Sequence, residues 1–142
     1  LEEMGVIMQI GSDYVKVVGC NDLLATDVKT QPFPGFATDL QQPLTALMCL
    51  AKGDSHIEDT IYPERFKHCD ELNKMGASIK YHKGSSTIHG GTSLKGNDIT
   101  ARDLRCGAAL VIAGLIADGE TIIHDAYHIF RGYDSIVEKL KK

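Results

Sequence analysis

The feature that most constrains the fold is an internal repeat. Leu72, Met75 and Gly76 in LNKMGASIKY restate Leu1, Met4 and Gly5 in LEEMGVIMQI. After each glycine come a strand, a polar turn (Gly11-Ser12-Asp13; Lys83-Gly84-Ser85) and a second strand, Tyr14 to Val18 and Thr87 to His89, which predicts a hairpin in each copy. Gly19 then answers to Gly90, and Asp27-Val28 to Asp98-Ile99. Both copies run on through an apolar helix, LTALMCLAKG and AALVIAGLIADG, each closed by a glycine (Gly53, Gly119). A strand is expected next in each, Ser55 to Ile61 and Thr121 to Tyr127, and then a second helix carrying Phe66, Cys69, Leu72 and Met75 on one face, or Ile136, Val137 and Leu140 in the other copy. The repeating unit is a βαβαββ unit of about 70 residues, present twice in shifted phase. The fold class is therefore α/β (α+β).

The copies differ at one place. Thr38-Asp39-Leu40 answers to Arg102-Asp103-Leu104 only if about seven residues, the QPFPGFA loop, are inserted in the first copy. An insertion into a regular repeat maps to a loop, and such loops often carry function. Pro32, Pro34 and Gly35 make this loop stiff but turned, and it delivers Asp39 to the start of helical periodicity. Asp39 is the leading site candidate; the alternative is that Thr38 or Asp39 merely caps the helix. Pro43 leaves the helix start ambiguous between Asp39 and itself.

Arg65 follows Pro63 and is expected in the first turn of a helix, with Arg131 in the equivalent place. A cation there opposes the helix dipole, so each needs a compensating anion, either a carboxylate of the protein or a ligand. For Arg65 both remain open, whereas Arg131, followed by Gly132 and Tyr133, points to a ligand. Asp103 and Arg105, spaced DLR, are expected to pair with the neighbouring repeat in a mainly structural role.

Composition sets the outer limits. The chain has 142 residues, 43% of them apolar and 24% charged, enough for one domain with a core and too few for two of ordinary size. The expected division is one partial domain: the end of one unit at 1–30, the inserted loop at 31–38, a first unit to about 97 and a second from about 98 to 142. A net charge of −4 argues against a nucleic-acid surface, and no apolar run is long enough for a membrane span; the cytoplasm is the default location. Four scattered cysteines (Cys20, Cys49, Cys69, Cys106) read as reduced and mostly buried, with Cys69 open to partial exposure beside His68. His124 and His128 have the spacing of two ligands on a helix turn, but their segment reads as a strand running into a loop, so no metal site and no cofactor is expected. The start at the tail of one unit, with no initiator Met, reads as a fragment of a larger polypeptide.

The ordered set PFPGFATDLQ, ERF with ELNKMGA, ARDLR and HIFRGYDSIVEKL resembles the bacterial UDP-N-acetylglucosamine enolpyruvyltransferases over essentially the whole chain. That resemblance implies an inside-out α/β barrel, in which each of two domains is built from three βαβαββ units, with about two of three units of the second domain present here. It implies transfer of the enolpyruvyl group from phosphoenolpyruvate to the 3-hydroxyl of UDP-N-acetylglucosamine, releasing phosphate, the first committed step toward peptidoglycan. Asp39 then matches the residue that contacts the attacking hydroxyl and is the proposed base, and Ile61 the one that lies against the nucleotide-sugar. Arg131 matches an arginine that reaches phosphoenolpyruvate on domain closure, and Arg65 one that lines the same cleft. The partner needed to complete the cleft is the missing N-terminal domain, so the fragment alone is expected to be inactive. Two departures are Phe130, where the family commonly has an Asp before Arg131, and PERF in place of ENRF. None of the four cysteines matches the family's catalytic cysteine. Two other readings stand beside this one: an enolpyruvylshikimate phosphate synthase-like transferase, and a non-catalytic repeat module that packs against other subunits.

Overall fold

The computed structural model describes residues 1–141. A short 3-10 turn, Glu2–Met4, ends at Gly5, whose φ of 83° is left-handed and suits a residue without a Cβ. The hairpin β1 (Ile7–Ile10) and β2 (Val15–Val18) follows, antiparallel, with Ile7 opposite Val18.

Next comes one complete βαβαββ unit: β3 (Asp27–Lys29), α1 (Gln41–Met48), β4 (Asp54–Glu58), α2 (His68–Lys74), β5 (Ser78–His82) and β6 (Ser85–His89). Its four strands form one mixed sheet in the order β3-β4-β6-β5, with β3 parallel to β4 and the other two pairings antiparallel. Period-two alternation turns Ser55 and Ile57 of β4, and Ser86 and Ile88 of β6, inward. The second unit repeats the opening: β7 (Asp98–Thr100), α3 (Leu104–Ile116) and β8 (Ile122–His124), with β7 parallel to β8, then the short helices α4 (Tyr127–Phe130) and α5 (Ile136–Leu140). The predicted α/β unit is the observed one.

The core lies where α1, α2 and α3 meet the inner face of the sheet. Met48, Leu72, Ile57, Ile88 and Leu110 are each at most 1% exposed, and such side chains contribute about 1.5–3 kcal/mol apiece on burial. Phe66, Cys69, Leu72 and Met75 are all buried, as their spacing predicts. Cys69 is fully buried rather than partly exposed, because α2 presses it inward with its neighbours. The matching face of α5 differs: Val137 and Leu140 are about half exposed, since α5 covers no core.

Glu71 ties the two units together. Its side chain is completely buried, and it accepts hydrogen bonds from Lys74 Nζ (2.8 Å), Arg102 Nη2 (3.1 Å) and the backbone N–H of Thr100 in β7 (3.1 Å). Burial alone would raise its pKa, but those three donors outweigh it and hold the carboxyl below its ordinary range. Asp103 caps α3, its carboxylate accepting from the N–H groups of Arg105 and Cys106.

Two strands are shorter than their apolar patterns suggest. β4 stops at Glu58 because the Asp59 carboxylate turns back to accept from the N–H groups of Ile61 (3.0 Å) and Tyr62 (2.8 Å). β8 stops at His124 because Asp125 takes φ 56°, a left-handed turn that leads straight into α4. Among the described residues no helix is long and apolar enough to cross a membrane.

Candidate active site

The inserted loop is closed by its own backbone. The N–H of Gln31 donates to Phe36 O (3.0 Å), and that of Gly35 to Pro32 O (2.8 Å). A Cβ at Gly35 would sit 2.5 Å from that of Gln31, so the tight return excludes larger residues. The chain then enters a 3-10 turn, Thr38–Leu40, that runs into α1 at Gln41. Pro43 lies in the first turn of α1, where its missing N–H would have had no helical acceptor. Neither Thr38 nor Asp39 caps α1 through its side chain. The capping alternative is therefore wrong for the first copy, although the sister residue Asp103 does cap α3.

Asp39 is instead held by two arginines. Arg105 grips it in a fork, Nε to Oδ1 (2.5 Å) and Nη2 to Oδ2 (2.8 Å), while Arg65 Nη1 reaches Oδ1 at 3.0 Å. The hydrogen bond from Arg105 holds the Asp39 carboxyl below the ordinary range, and Arg65 adds to the effect. The same bond raises Arg105. Arg65 is further fixed by Tyr62, whose ring centre lies 3.6 Å from the guanidinium carbon, and by Thr38 Oγ1 at 3.4 Å from Nη1. Around this cluster is an open cleft of about 460 Å³, lined by Asp39, Ile61, Tyr62, Arg65, Arg105 and the first residues of the inserted loop.

Three of the four sequence-predicted site residues, Asp39, Ile61 and Arg65, thus line one cleft. Two expectations about the arginines need correction. Arg65 does not lie in the first turn of a helix but in the turns before α2, which starts at His68. The Asx-type turn at Asp59 and the bond from Arg65 N to Tyr62 O delay the helix. Its compensating anion is internal, and it is Asp39. Arg131 closes the C-terminal end of α4, where a cation is favoured rather than opposed by the backbone dipoles. Arg131 is exposed and outside the lining of the cleft, but the next residue, Gly132, is packed so close to Leu104 at the start of α3 that a Cβ would meet its Cδ1 at 2.5 Å. It therefore sits beside the end of α3 that presents Arg105.

The sequence points to a mainly structural role for Arg105 and singles out neither Asp59 nor Tyr62. For Arg105 the signal was the DLR spacing, which pairs with the neighbouring repeat as expected, but with Asp39 itself. Among the described residues no group of three or more His, Cys, Asp or Glu side chains is placed to hold a metal ion. His124 pairs with Asp98 (2.9 Å), and the His128 ring packs against that of Tyr127, tilted by 33° with the ring centres 4.1 Å apart. Cys49, Cys69 and Cys106 are buried, which raises all three thiols.

The model of the EPSP synthase family (3-phosphoshikimate 1-carboxyvinyltransferase) matches residues 1–140. The chain belongs to that family. Within it, the chain is 54% identical over 140 residues to UDP-N-acetylglucosamine 1-carboxyvinyltransferase 2 of Listeria monocytogenes serotype 4b, covering 99% of this chain and 33% of the relative. The protein of the same name from Geobacillus kaustophilus is 53% identical over an equal share. The chain thus spans about a third of the length of the curated relatives it matches. Among solved structures, the enolpyruvyl transferase NikO from Streptomyces tendae superposes with a TM-score of 0.91 at 28% identity, over 99% of this chain and 33% of that one. EPSP synthase from Acinetobacter baumannii, at 24% identity and a TM-score of 0.65 over 86% of this chain and 30% of its own, shares the fold. The family's enolpyruvyl-transferase fold is the one expected from the repeat and the resemblance.

Proposed function

We propose that this chain supplies the acceptor-hydroxyl side of an enolpyruvyl transferase acting on UDP-N-acetylglucosamine and phosphoenolpyruvate. The observation that carries the reading is the position of Asp39. Its carboxylate does not cap α1, lies at the mouth of a cleft, and is kept ionised by two guanidinium groups. An ionised carboxylate accepts the proton of an attacking hydroxyl, and arginine forks bind a carboxylate or phosphate. In the net reaction a bond forms between the 3-hydroxyl oxygen and the enol carbon. The bond from that carbon to the phosphate oxygen breaks, and the hydroxyl proton, taken up by the carboxylate, ends on the departing phosphate. Ile61 offers the apolar wall beside the sugar, and Arg65 and Arg105 the anion seat. Arg131, beside the same end of α3, joins them when the rest of the enzyme closes over the cleft.

The relatives at 54% and 53% identity favour UDP-N-acetylglucosamine as acceptor, while the likeness to EPSP synthase at 24% speaks only for the fold. On this reading the protein works in the cytoplasm, at the entry to peptidoglycan synthesis. The remaining two thirds of the enzyme complete the cleft, and the fragment alone is inactive. Thermal unfolding of the full-length protein with UDP-N-acetylglucosamine tests the reading: saturating ligand raises the midpoint. No shift at saturation would favour the repeat-module reading, in which the Arg65 to Asp39 pair is only a packing contact.

A further inference from the structure

Asp59 has no place in the reading so far, yet it is the most completely bonded carboxylate near the cleft. Only 1% exposed, it accepts at Oδ1 from Thr30 Oγ1 (2.8 Å), Ile61 N (3.0 Å) and Tyr62 N (2.8 Å), and at Oδ2 from Thr38 Oγ1 (2.7 Å). Two of these donors lead directly into the site. Thr38 precedes Asp39, and its hydroxyl, having donated to Asp59, faces Arg65 Nη1 at 3.4 Å. Tyr62 carries the ring on which Arg65 stacks.

The second repeat provides a control. There Asp125 stands where Asp59 does, but Ala101 replaces Thr30, Arg102 replaces Thr38, and the inserted loop is missing. Asp125 is exposed, and among the described residues its carboxylate accepts no hydrogen bond. The four-donor cage thus goes with the loop and its carboxylate rather than with the βαβαββ unit.

We propose that Asp59 is the positioning residue of this site: its buried carboxylate sets the Thr38-Asp39 turn and the Tyr62-Arg65 platform in mutual register, so that Asp39 meets its arginines and the acceptor hydroxyl. This rests on the transferase reading above. Four donors converge on it, so an amide in its place would turn an NH₂ group against one of them. Removal of the Thr38 hydroxyl alone would cut the link to Arg65 and leave the other three bonds in place.

The test uses the full-length enzyme with Asp59→Asn, Thr38→Val and Thr38→Ser, read by kcat, KM, thermal midpoint and carbon-13 NMR titration of the Asp39 carboxylate. In Asp59→Asn and Thr38→Val, kcat falls by about 10- to 100-fold, more than KM for the nucleotide-sugar changes, and the Asp39 titration moves to higher pH as Arg65 loosens. Thr38→Ser, which keeps the hydroxyl, restores both. If Asp59→Asn does not fold, the Val and Ser pair carries the test. A lower thermal midpoint with unchanged kcat and an unmoved Asp39 titration would overturn the inference and leave Asp59 a structural staple. A wild-type enzyme that transfers no enolpyruvyl group would sink the transferase reading instead, and the NMR titration would still decide whether Asp59 positions Asp39.

Discussion

Glu71→Gln tests whether the two repeats are latched through one buried carboxylate. Lys74 and Arg102 are 49% and 48% exposed, so losing either ion pair costs only about 0–1 kcal/mol, because water solvates the freed cation. The backbone N–H of Thr100 is different. The single oxygen of the amide must serve either it or Arg102, and a part-buried donor left without an acceptor costs about 1–3 kcal/mol. The variant is therefore expected to lose about 1–3 kcal/mol, concentrated at the junction of α2 and β7. Urea unfolding of the full-length protein reports the total, and amide hydrogen exchange at Thr100 reports the location, faster by roughly tenfold or more. The pH dependence has a definite sign. The folded pKa of Glu71 lies below its ordinary value of about 4.3, so its stabilisation is complete above that value and disappears as pH falls through the folded pKa. The gap between wild type and variant must therefore narrow in acid. Unchanged Thr100 exchange, or a gap that widens on acidification, would refute the latch.

Further predictions concern the cleft and the core. Arg105→Lys keeps the charge but loses the fork, so the Asp39 carboxyl rises toward its ordinary range and the acid limb of the pH–rate profile moves to higher pH. An unmoved limb would show that Arg105 does not set the ionisation of Asp39. Burial pushes the thiols of Cys49 and Cys106 up to about 12 and about 11 and that of Cys69 higher still; alkylation of native protein followed by mass spectrometry should find Cys20, which is only half-buried, modified first. Gly90→Ala would place a Cβ 2.0 Å from the carbonyl oxygen of Ala51, and the backbone shift needed is expected to cost about 1–3 kcal/mol in thermal unfolding. A midpoint equal to wild type would mean that the two segments separate freely.

The repeat made the order of strands and helices legible, because strand and helix periods are local properties and the paired glycines anchored the two copies. Element ends were harder to read. Asp59 ends β4 by folding its carboxylate back onto Ile61 and Tyr62, and Asp125 ends β8 through a left-handed turn; hydrophobic period carries neither event. The two arginine placements differ for the same reason: Pro63 marks the start of a turn that only becomes α2 at His68, and the repeat equivalence carries that expected start over to Arg131, which instead closes α4. The inserted loop pointed to Asp39, but not to its partners. Arg105 is 66 positions away, and its contact exists only because α1 packs along α3. The Asp59 cage had a weak signal in the sequence, namely the threonines at 30 and 38 that the sister copy lacks.

Phosphate release from phosphoenolpyruvate and UDP-N-acetylglucosamine by the full-length enzyme, wild type against Asp39→Asn, decides whether Asp39 takes the hydroxyl proton. Asparagine keeps the shape of the side chain and removes its ability to take the hydroxyl proton. Turnover is expected to fall by roughly 10²- to 10⁴-fold, with the variant still folded and still stabilised by the nucleotide-sugar. Wild-type turnover in the variant would contradict that role, and Asp39 would then be no more than the anchor for two arginines.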